Sequence, residues 1–351
     1  MLTAVASHFG LGEVIACTPV VGGLMNPNWR LTTTAGVFAV KQLRDATPAA
    51  ARRQQAVLPL LAAGGVPVPE TSGAEVDGHY YVVARWMPGR HRAGSELSRP
   101  ACRALGDLLA RIHLGLAVAM PEAQAGPAGA QAVLSRAEAG LSRAKAGLAG
   151  AGAGRALPVP ELPPVADRPR TVDDARTDLE RLGRIAAGGR DDFDLFATAE
   201  IRRRRLLLDE VGGLRPADDP DVRPAGWTHG DLNDLNLLFD GDAVCGVLDW
   251  DRLGVRPYGL EVVRTATVLF EVGDLGRVAD FAAGYRGRFD IGDEALRDAA
   301  HRRWWTLVTD TYFLRRHYDV GDPACDHLLR RSSEVLRWWT GHRREFDDAF
   351  R

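Results

Sequence analysis

Lysine is almost missing from this chain. Of its 44 basic residues, only Lys41 and Lys145 are lysines, and its few asparagines, Asn26, Asn28, Asn233 and Asn236, fall in two short stretches. A chain that prefers arginine and avoids asparagine has kept the rare types in a few places, which points to chemistry there. Cysteine is scarce as well. Cys17, Cys102, Cys245 and Cys325 are scattered without C-x-x-C pairing, which speaks against a disulfide framework or a cysteine zinc site and fits reduced thiols. No apolar run approaches the roughly 18 residues of a membrane helix. The N-terminus has no basic segment followed by an apolar core, so a cytoplasmic protein is expected. An excess of one charge is also lacking: the net charge of −2 gives no general pull toward nucleic acid or an anionic membrane.

What is present is 351 residues, enough for one large domain or two lobes with a sizeable core. The most informative stretch runs from Trp227 to Asp251. His229-Gly230-Asp231 leads through a polar turn to Asn236. Leu237–Phe239 and Val244–Leu248 then form two apolar runs broken by Asp240-Gly241-Asp242, a hairpin signal. The second run delivers Asp249 at its end, with Asp251 two residues on. Such a hairpin sets an amide and a carboxylate near a second carboxylate, a group able to hold a divalent ion and position a hydroxyl.

Near the N-terminus, residues 14–43 read as a β-hairpin with a glycine-rich turn, Gly22-Gly23-Leu24-Met25-Asn26-Pro27-Asn28. Glycine lets backbone N–H groups approach phosphate oxygens closely; an ordinary hairpin turn fits the same residues. Lys41 follows in Phe38-Ala39-Val40-Lys41, like the V-A-I-K strand whose lysine reaches α- and β-phosphates. Residues 48–63 predict a helix ended by Gly64-Gly65. Two strands flank Asp77-Gly78, the second running into Arg85-Trp86-Met87-Pro88-Gly89. Ser98 is placed to cap a helix through Ala101, Leu105, Leu108, Leu109 and Ile112, with His113 at its end in a structural role. Thr171 with Asp174 marks another helix start, and a further helix covers Phe193–Val211. The Arg202–Arg205 run fits a solvated face or inter-helix pairing better than a nucleic-acid site. The aromatic C-terminal helices carry two Trp-Trp pairs, expected in the core. Arg315, Arg316 and His317 would suit a carboxylate or phosphate on a ligand, and Asp310, Glu261 and Asp274 an amine.

From Asp231 to Asn236 the spacing is that of H-R-D-x-x-x-x-N, and Asp249 stands where a D-F-G aspartate would. Gly230 replaces the arginine and Asp249-Trp250-Asp251 replaces D-F-G. With those changes the chain resembles the aminoglycoside phosphotransferase and choline kinase superfamily, small-molecule kinases with a protein-kinase-like fold. The resemblance implies an α+β, bilobal fold. Residues 1–89 would form an N-terminal antiparallel β-sheet lobe with one helix and the hinge. Residues 90–351 would form a larger, mainly helical lobe, within which the shift to an Ala-, Gly- and Arg-rich texture over 120–224 reads as a helical insertion that the family's motifs do not cover. It implies an ATP-dependent O-phosphotransferase using Mg²⁺ and a small-molecule hydroxyl acceptor. Asp231 would be catalytic and Asn236 and Asp249 would hold the metal. Gly22, Gly23, Asn26, Asn28, Lys41 and the hinge residues Arg85, Trp86 and Met87 would hold the nucleotide. His229 braces the loop, and Asp251 is left open between metal and a substrate amine. One departure stands out: the 48–63 helix has no glutamate to pair with Lys41; Gln54 or Gln55 occupies its place, with Glu70 or an acidic residue elsewhere as the alternative partner. Two other readings follow from the residues: a nucleotide-binding pseudokinase, favoured by Gln54, and a metallohydrolase built on His229, Asp231, Asp249 and Asp251.

Overall fold

The computed structural model describes residues 1–20, 26–44, 47–124, 165–270 and 272–351. The turn containing Gly22 and Gly23, and residues 125–164 of the expected 120–224 insertion, lie outside them. Packing divides the chain into two compact units. The first comprises Met1–Leu162, Gly226–Arg256 and Asp280–Asp290, and the second Pro163–Ala225, Pro257–Ala279 and Ile291–Arg351.

The first unit opens with a short helix, α1 (Leu2–His8), and a five-stranded antiparallel sheet of order β1-β2-β3-β5-β4. Its strands are β1 (Val14–Pro19), β2 (Asn28–Thr33), β3 (Gly36–Gln42), β4 (Thr71–Val76) and β5 (His79–Arg85). Alternation along β3 buries Phe38, Val40 and Gln42 and turns Val37, Ala39 and Lys41 to the other face. The buried face packs Leu31, Phe38, Val40, Tyr81 and Val83 onto Val5 and Ala6 of α1. The β4–β5 turn behaves as its Asp-Gly sequence demands, with Asp77 at φ 48° and Gly78 at φ 75°. Between the hairpins, α2 (Pro48–Ala63) is capped by the Thr47 side chain, which accepts from the Ala50 N–H, and stops at Gly64.

Helix α3 (Arg99–Gln124) begins where Ser98 accepts from the Ala101 N–H. It runs well past His113, contrary to the sequence expectation, because Leu116, Ala117, Ala119 and Met120 prolong its buried stripe. His113 therefore sits in mid-helix, fully buried, its Nδ1 2.7 Å from the Tyr285 hydroxyl. Four more strands complete this part of the chain: β6 (Ala225–Thr228) pairs with β9 (Gly254–Pro257), and β7 (Leu237–Asp240) pairs with β8 (Ala243–Val247).

The second unit is helical: α4 (Val172–Ala186), α5 (Asp192–Val211), α6 (Tyr258–Leu269), the start of α7 (Leu275–Arg286), α8 (Asp293–Thr309), α9 (Tyr312–Val320), α10 (Asp326–Gly341) and α11 (Arg343–Asp348). Thr171 caps α4 as its sequence announced, and Asp191 with Asp194 forms a capping box on α5. Trp304, Trp305 and Trp339 are core residues, while Trp338 is half-buried and stacks on His342 at 4.7 Å. Within the four-arginine run, Arg204 is buried. Its Nε donates to Glu200 Oε1 at 2.7 Å, and its Nη1 donates to the carbonyls of Leu307 and Asp310, at 2.9 and 2.7 Å. One guanidinium thus satisfies orphan carbonyls at the end of α8. Among the described residues no helix is long and apolar enough to cross a membrane.

Candidate active site

The β7–β8 hairpin brings Asn236 and Asp249 to its open end. Leu237 pairs with Val247 in the ladder, and the Leu248 N–H donates to the Asn236 carbonyl at 2.8 Å just beyond it. Asp249 then adopts φ 56°, a left-handed conformation that a non-glycine residue holds only where its surroundings enforce it. The enforcing contacts are near: the Trp250 indole donates to the Val247 carbonyl at 3.0 Å, and His229 packs 4.5 Å from the Trp250 ring.

The loop before the hairpin is held from inside. The Asp231 carbonyl accepts the side-chain amides of Asn233 and Asn236, at 3.0 and 2.8 Å. His229 Nδ1 accepts the Asp231 N–H at 3.2 Å, so its proton lies on Nε2, which donates to the Leu248 carbonyl at 2.9 Å. Both ring nitrogens are thereby used in bracing the loop. Gly230 sits at φ 83°, and a Cβ there would meet the Arg252 carbonyl at 2.4 Å and Arg256 Nη1 at 2.5 Å. That contact explains why glycine replaces the arginine of H-R-D. The room a side chain would need is filled by Arg256, which donates to the Arg252 carbonyl at 2.8 Å and to Thr228 Oγ1 at 3.1 Å.

Lys41 lies 208 residues from Asp249 in sequence, yet its Nζ is 2.8 Å from Asp249 Oδ1. It is also 2.5 Å from Asp251 Oδ2. Burial alone would lower the lysine's pKa, but the two carboxylates outweigh it and hold the ammonium above its usual 10.5. Burial likewise pushes the Asp249 carboxyl up, and the facing Lys41 charge more than reverses this, leaving it below 3.8. Lysine and aspartate are therefore both ionised at neutral pH. The Asp249 side chain keeps 44% of its surface open, whereas Asp251 keeps 17%.

Asp251 is held on every side. Asn26 Nδ2 donates to its Oδ2 at 3.0 Å, and Gln54 Nε2 to its Oδ1 at 3.3 Å. Asn26 is itself fixed by the Arg44 N–H donating to its Oδ1 at 2.7 Å, and Asn28 donates to the Asn26 carbonyl at 2.9 Å. Gln54, not Gln55, faces the site; Gln55 reaches Tyr80 instead. Sequence reasoning left Asp251 open between metal and a substrate amine and missed its link to Gln54. The signal available was negative, a helix without its expected acid.

The expected hinge leaves β5 with the Trp86 N–H donating to the Val37 carbonyl at 2.9 Å. Trp86 is exposed under Arg30, whose guanidinium carbon is 5.2 Å from the ring centroid, and Arg85 lies over Phe38. Arg90 then exchanges backbone hydrogen bonds with Phe239, at 3.0 and 2.9 Å, tying the hinge exit to β7. Gly89 passes so close to this strand that a Cβ would lie 2.5 Å from Cys245 Sγ. Cross-strand pairing sets Lys41 opposite Val82 and Ala39 opposite Ala84, so the lysine shares its sheet face with small apolar groups.

The metallohydrolase reading finds no ligand set here. His229 has spent both nitrogens, Lys41 stands between the two aspartates, and no group of three His, Cys, Asp or Glu residues among the described ones could hold a metal.

Comparison with known proteins agrees with this geometry. Residues 16–303 match the model of the phosphotransferase enzyme family. The chain is 23% identical to a homoserine kinase from Methylobacillus glycogenes, covering 94% of this chain and 93% of that protein. Among solved structures, spectinomycin phosphotransferase in complex with ADP and spectinomycin superposes with a TM-score of 0.56 at 12% identity, covering 99% of this chain and 96% of the other. An aminoglycoside phosphotransferase homologue from Ralstonia eutropha gives 0.52 at 16% identity, covering 97% and 98%. These two share the fold. A family match over most of the length, on a sheet and hairpin that join Lys41 to Asp249, places this chain in the phosphotransferase enzyme family as a small-molecule kinase.

Proposed function

We propose that the chain transfers the γ-phosphate of ATP to a hydroxyl of a small molecule, an antibiotic or aminosugar before an amino alcohol. The observation that carries this reading is the 2.8 Å contact between Lys41 and Asp249. Phosphoryl transfer asks for positioning and charge neutralisation more than for covalent chemistry. Lys41 would hold the α- and β-phosphates, with backbone donors of the Gly22–Asn28 turn beside it. The Arg85–Met87 main chain would meet the base, on the apolar face of Ala39, Val82 and Ala84. Asp231 would accept the proton of the attacking hydroxyl or orient it, on a loop that His229 and Asn236 keep rigid.

The oxygen donors of Asn236 and Asp249 suit a hard cation such as Mg²⁺. When bound, the ion supplies neutralisation of charge on the phosphates. The wide exposure of the Asp249 carboxylate leaves it open to that duty. The pseudokinase alternative drew its support from the missing helix glutamate, and the Asp251 carboxylate beside Lys41 takes that support away.

The acceptor preference leans on spectinomycin phosphotransferase among the fold neighbours, while the homoserine kinase among the sequence relatives keeps the amino alcohol as the second choice. The test is incubation with ATP and Mg²⁺ against aminoglycosides, spectinomycin, macrolides, choline, homoserine and free sugars, read by mass spectrometry. A gain of one phosphate on an antibiotic or aminosugar is the expected result. Transfer to homoserine alone would overturn the acceptor class, and ATP binding without transfer to any acceptor would overturn the kinase assignment.

A further inference from the structure

We propose that Asp251 is the residue that positions Lys41, with Gln54 as the residue that positions Asp251, so that the anion usually carried by the helix has been moved to the end of the catalytic hairpin. The inference rests on the kinase reading of the site and adds a division of labour between its two aspartates.

The two carboxylates on Lys41 are not equivalent. Asp249 accepts from Lys41 and from the Asp251 backbone N–H, and keeps 44% of its side chain exposed. Asp251 keeps 17% and meets three donors: Lys41 and Asn26 on Oδ2, Gln54 on Oδ1. A carboxylate so enclosed suits holding an ammonium in place, and the open one suits exchanging partners. An ammonium has three N–H donors, so Lys41 can keep Asp251 while offering others to a phosphate.

This arrangement also accounts for the amide in α2. Gln54 Nε2 lies 3.3 Å from Asp251 Oδ1. A glutamate there would set a second carboxylate oxygen against the first, a repulsive pair in a partly desolvated site. Glutamine supplies the donor that Asp251 needs. The uncharged helix residue is then the complement of a relocated acid rather than the mark of a decayed site. Two segments far from it in sequence, at Asn26 and Gln54, converge on the Asp251 side chain, whose ionic partner is Lys41, one of the chain's two lysines.

The experiment is ADP binding to the full chain by calorimetry, once with Mg²⁺ and once with chelator. It compares wild type, Asp251→Asn, Gln54→Glu, the double variant Asp251→Asn/Gln54→Glu, and Asp249→Asn, with melting temperatures recorded for all. Loss of a charged hydrogen-bond partner should weaken binding by about tenfold or more. Asp251→Asn should show that loss with and without Mg²⁺, and Asp249→Asn chiefly with it. Gln54→Glu alone should also weaken binding, while the double variant, which returns the carboxylate to the helix, should recover most of the affinity. A general loss of structure would not be rescued by a charge swap. The proposal is overturned if Asp251→Asn loses only the Mg²⁺-dependent part, or if Gln54→Glu alone tightens binding. If wild type binds ADP but phosphorylates no acceptor, the catalytic reading falls while the binding comparison still decides this one. If it binds no ADP, both fall.

Discussion

Two clusters of opposite charge occupy the two units of this molecule, and they are built to opposite ends. In the second unit, Arg204 and Glu200 keep 1% and 4% of their side chains exposed, and Arg204 spends Nε and Nη1 on a carboxylate and two carbonyls. In the first, Lys41 stands between two aspartates of which one is largely open. The closed cluster ties α5 to the end of α8. The open one leaves room for a ligand. Proximity of charges is common to both, so proximity is not what marks the candidate site. Unspent valence is.

The comparison can be broken at its most consequential point by Asp231→Asn. Turnover on the true acceptor should fall by about 10²- to 10⁴-fold, the usual contribution of a positioned general base, while the melting temperature holds. Near-normal turnover would remove Asp231 from the mechanism. On the closed side, Arg204→Met should destabilise the fold by about 1–3 kcal/mol, because the Leu307 and Asp310 carbonyls lose their donor while Glu200 is left with Arg203. Denaturant unfolding measures this, and a loss below about 1 kcal/mol would mean the buried pair does not tie the helices as described.

Acid sharpens the contrast. Burial pushes the Glu200 carboxyl up, but Arg203 and Arg204 outweigh it and hold it below its usual 4.5. A depressed carboxylate contributes stability that is fully present above its unfolded value and drains as pH falls through its folded one. The stability difference between wild type and Glu200→Gln should therefore be greatest above pH 4.5 and shrink below it, as read from unfolding curves at stepped pH. A difference that stays constant down through that range would contradict the assigned direction. The smallest effect is expected next door. Arg205 meets Glu180 at 3.3 Å with both side chains about half exposed, so Arg205→Ala should cost less than about 1 kcal/mol. A cost matching that of Arg204 would erase the distinction between open and closed pairs.

How much of this was legible beforehand follows from the range of each interaction. The Asp77-Gly78 and Asp240–Asp242 turns, the Ser98 and Thr171 caps, and the spacing from Asp231 to Asn236 and Asp249 are written within a few residues and could be read directly. Lys41 was recognisable because its strand pattern and its rarity coincide. The arrangement of Asp251 with Gln54 and Asn26 spans 197 and 225 positions, and no local pattern encodes it. The length of α3 is hidden for a different reason: His113 reads as a terminus, and a contact that accommodates the buried imidazole in mid-helix comes from Tyr285, 172 positions away. Similarly, Arg202–Arg205 gave no hint of which arginine turns inward, since that depends on where the end of α8 lies.

The glycine at position 230 carries a consequence for anyone rebuilding this loop. Its φ of 83° and the guanidinium of Arg256, bonded to the Arg252 carbonyl, leave no room for a Cβ, so returning the arginine of H-R-D to this position would push Arg256 out of its place.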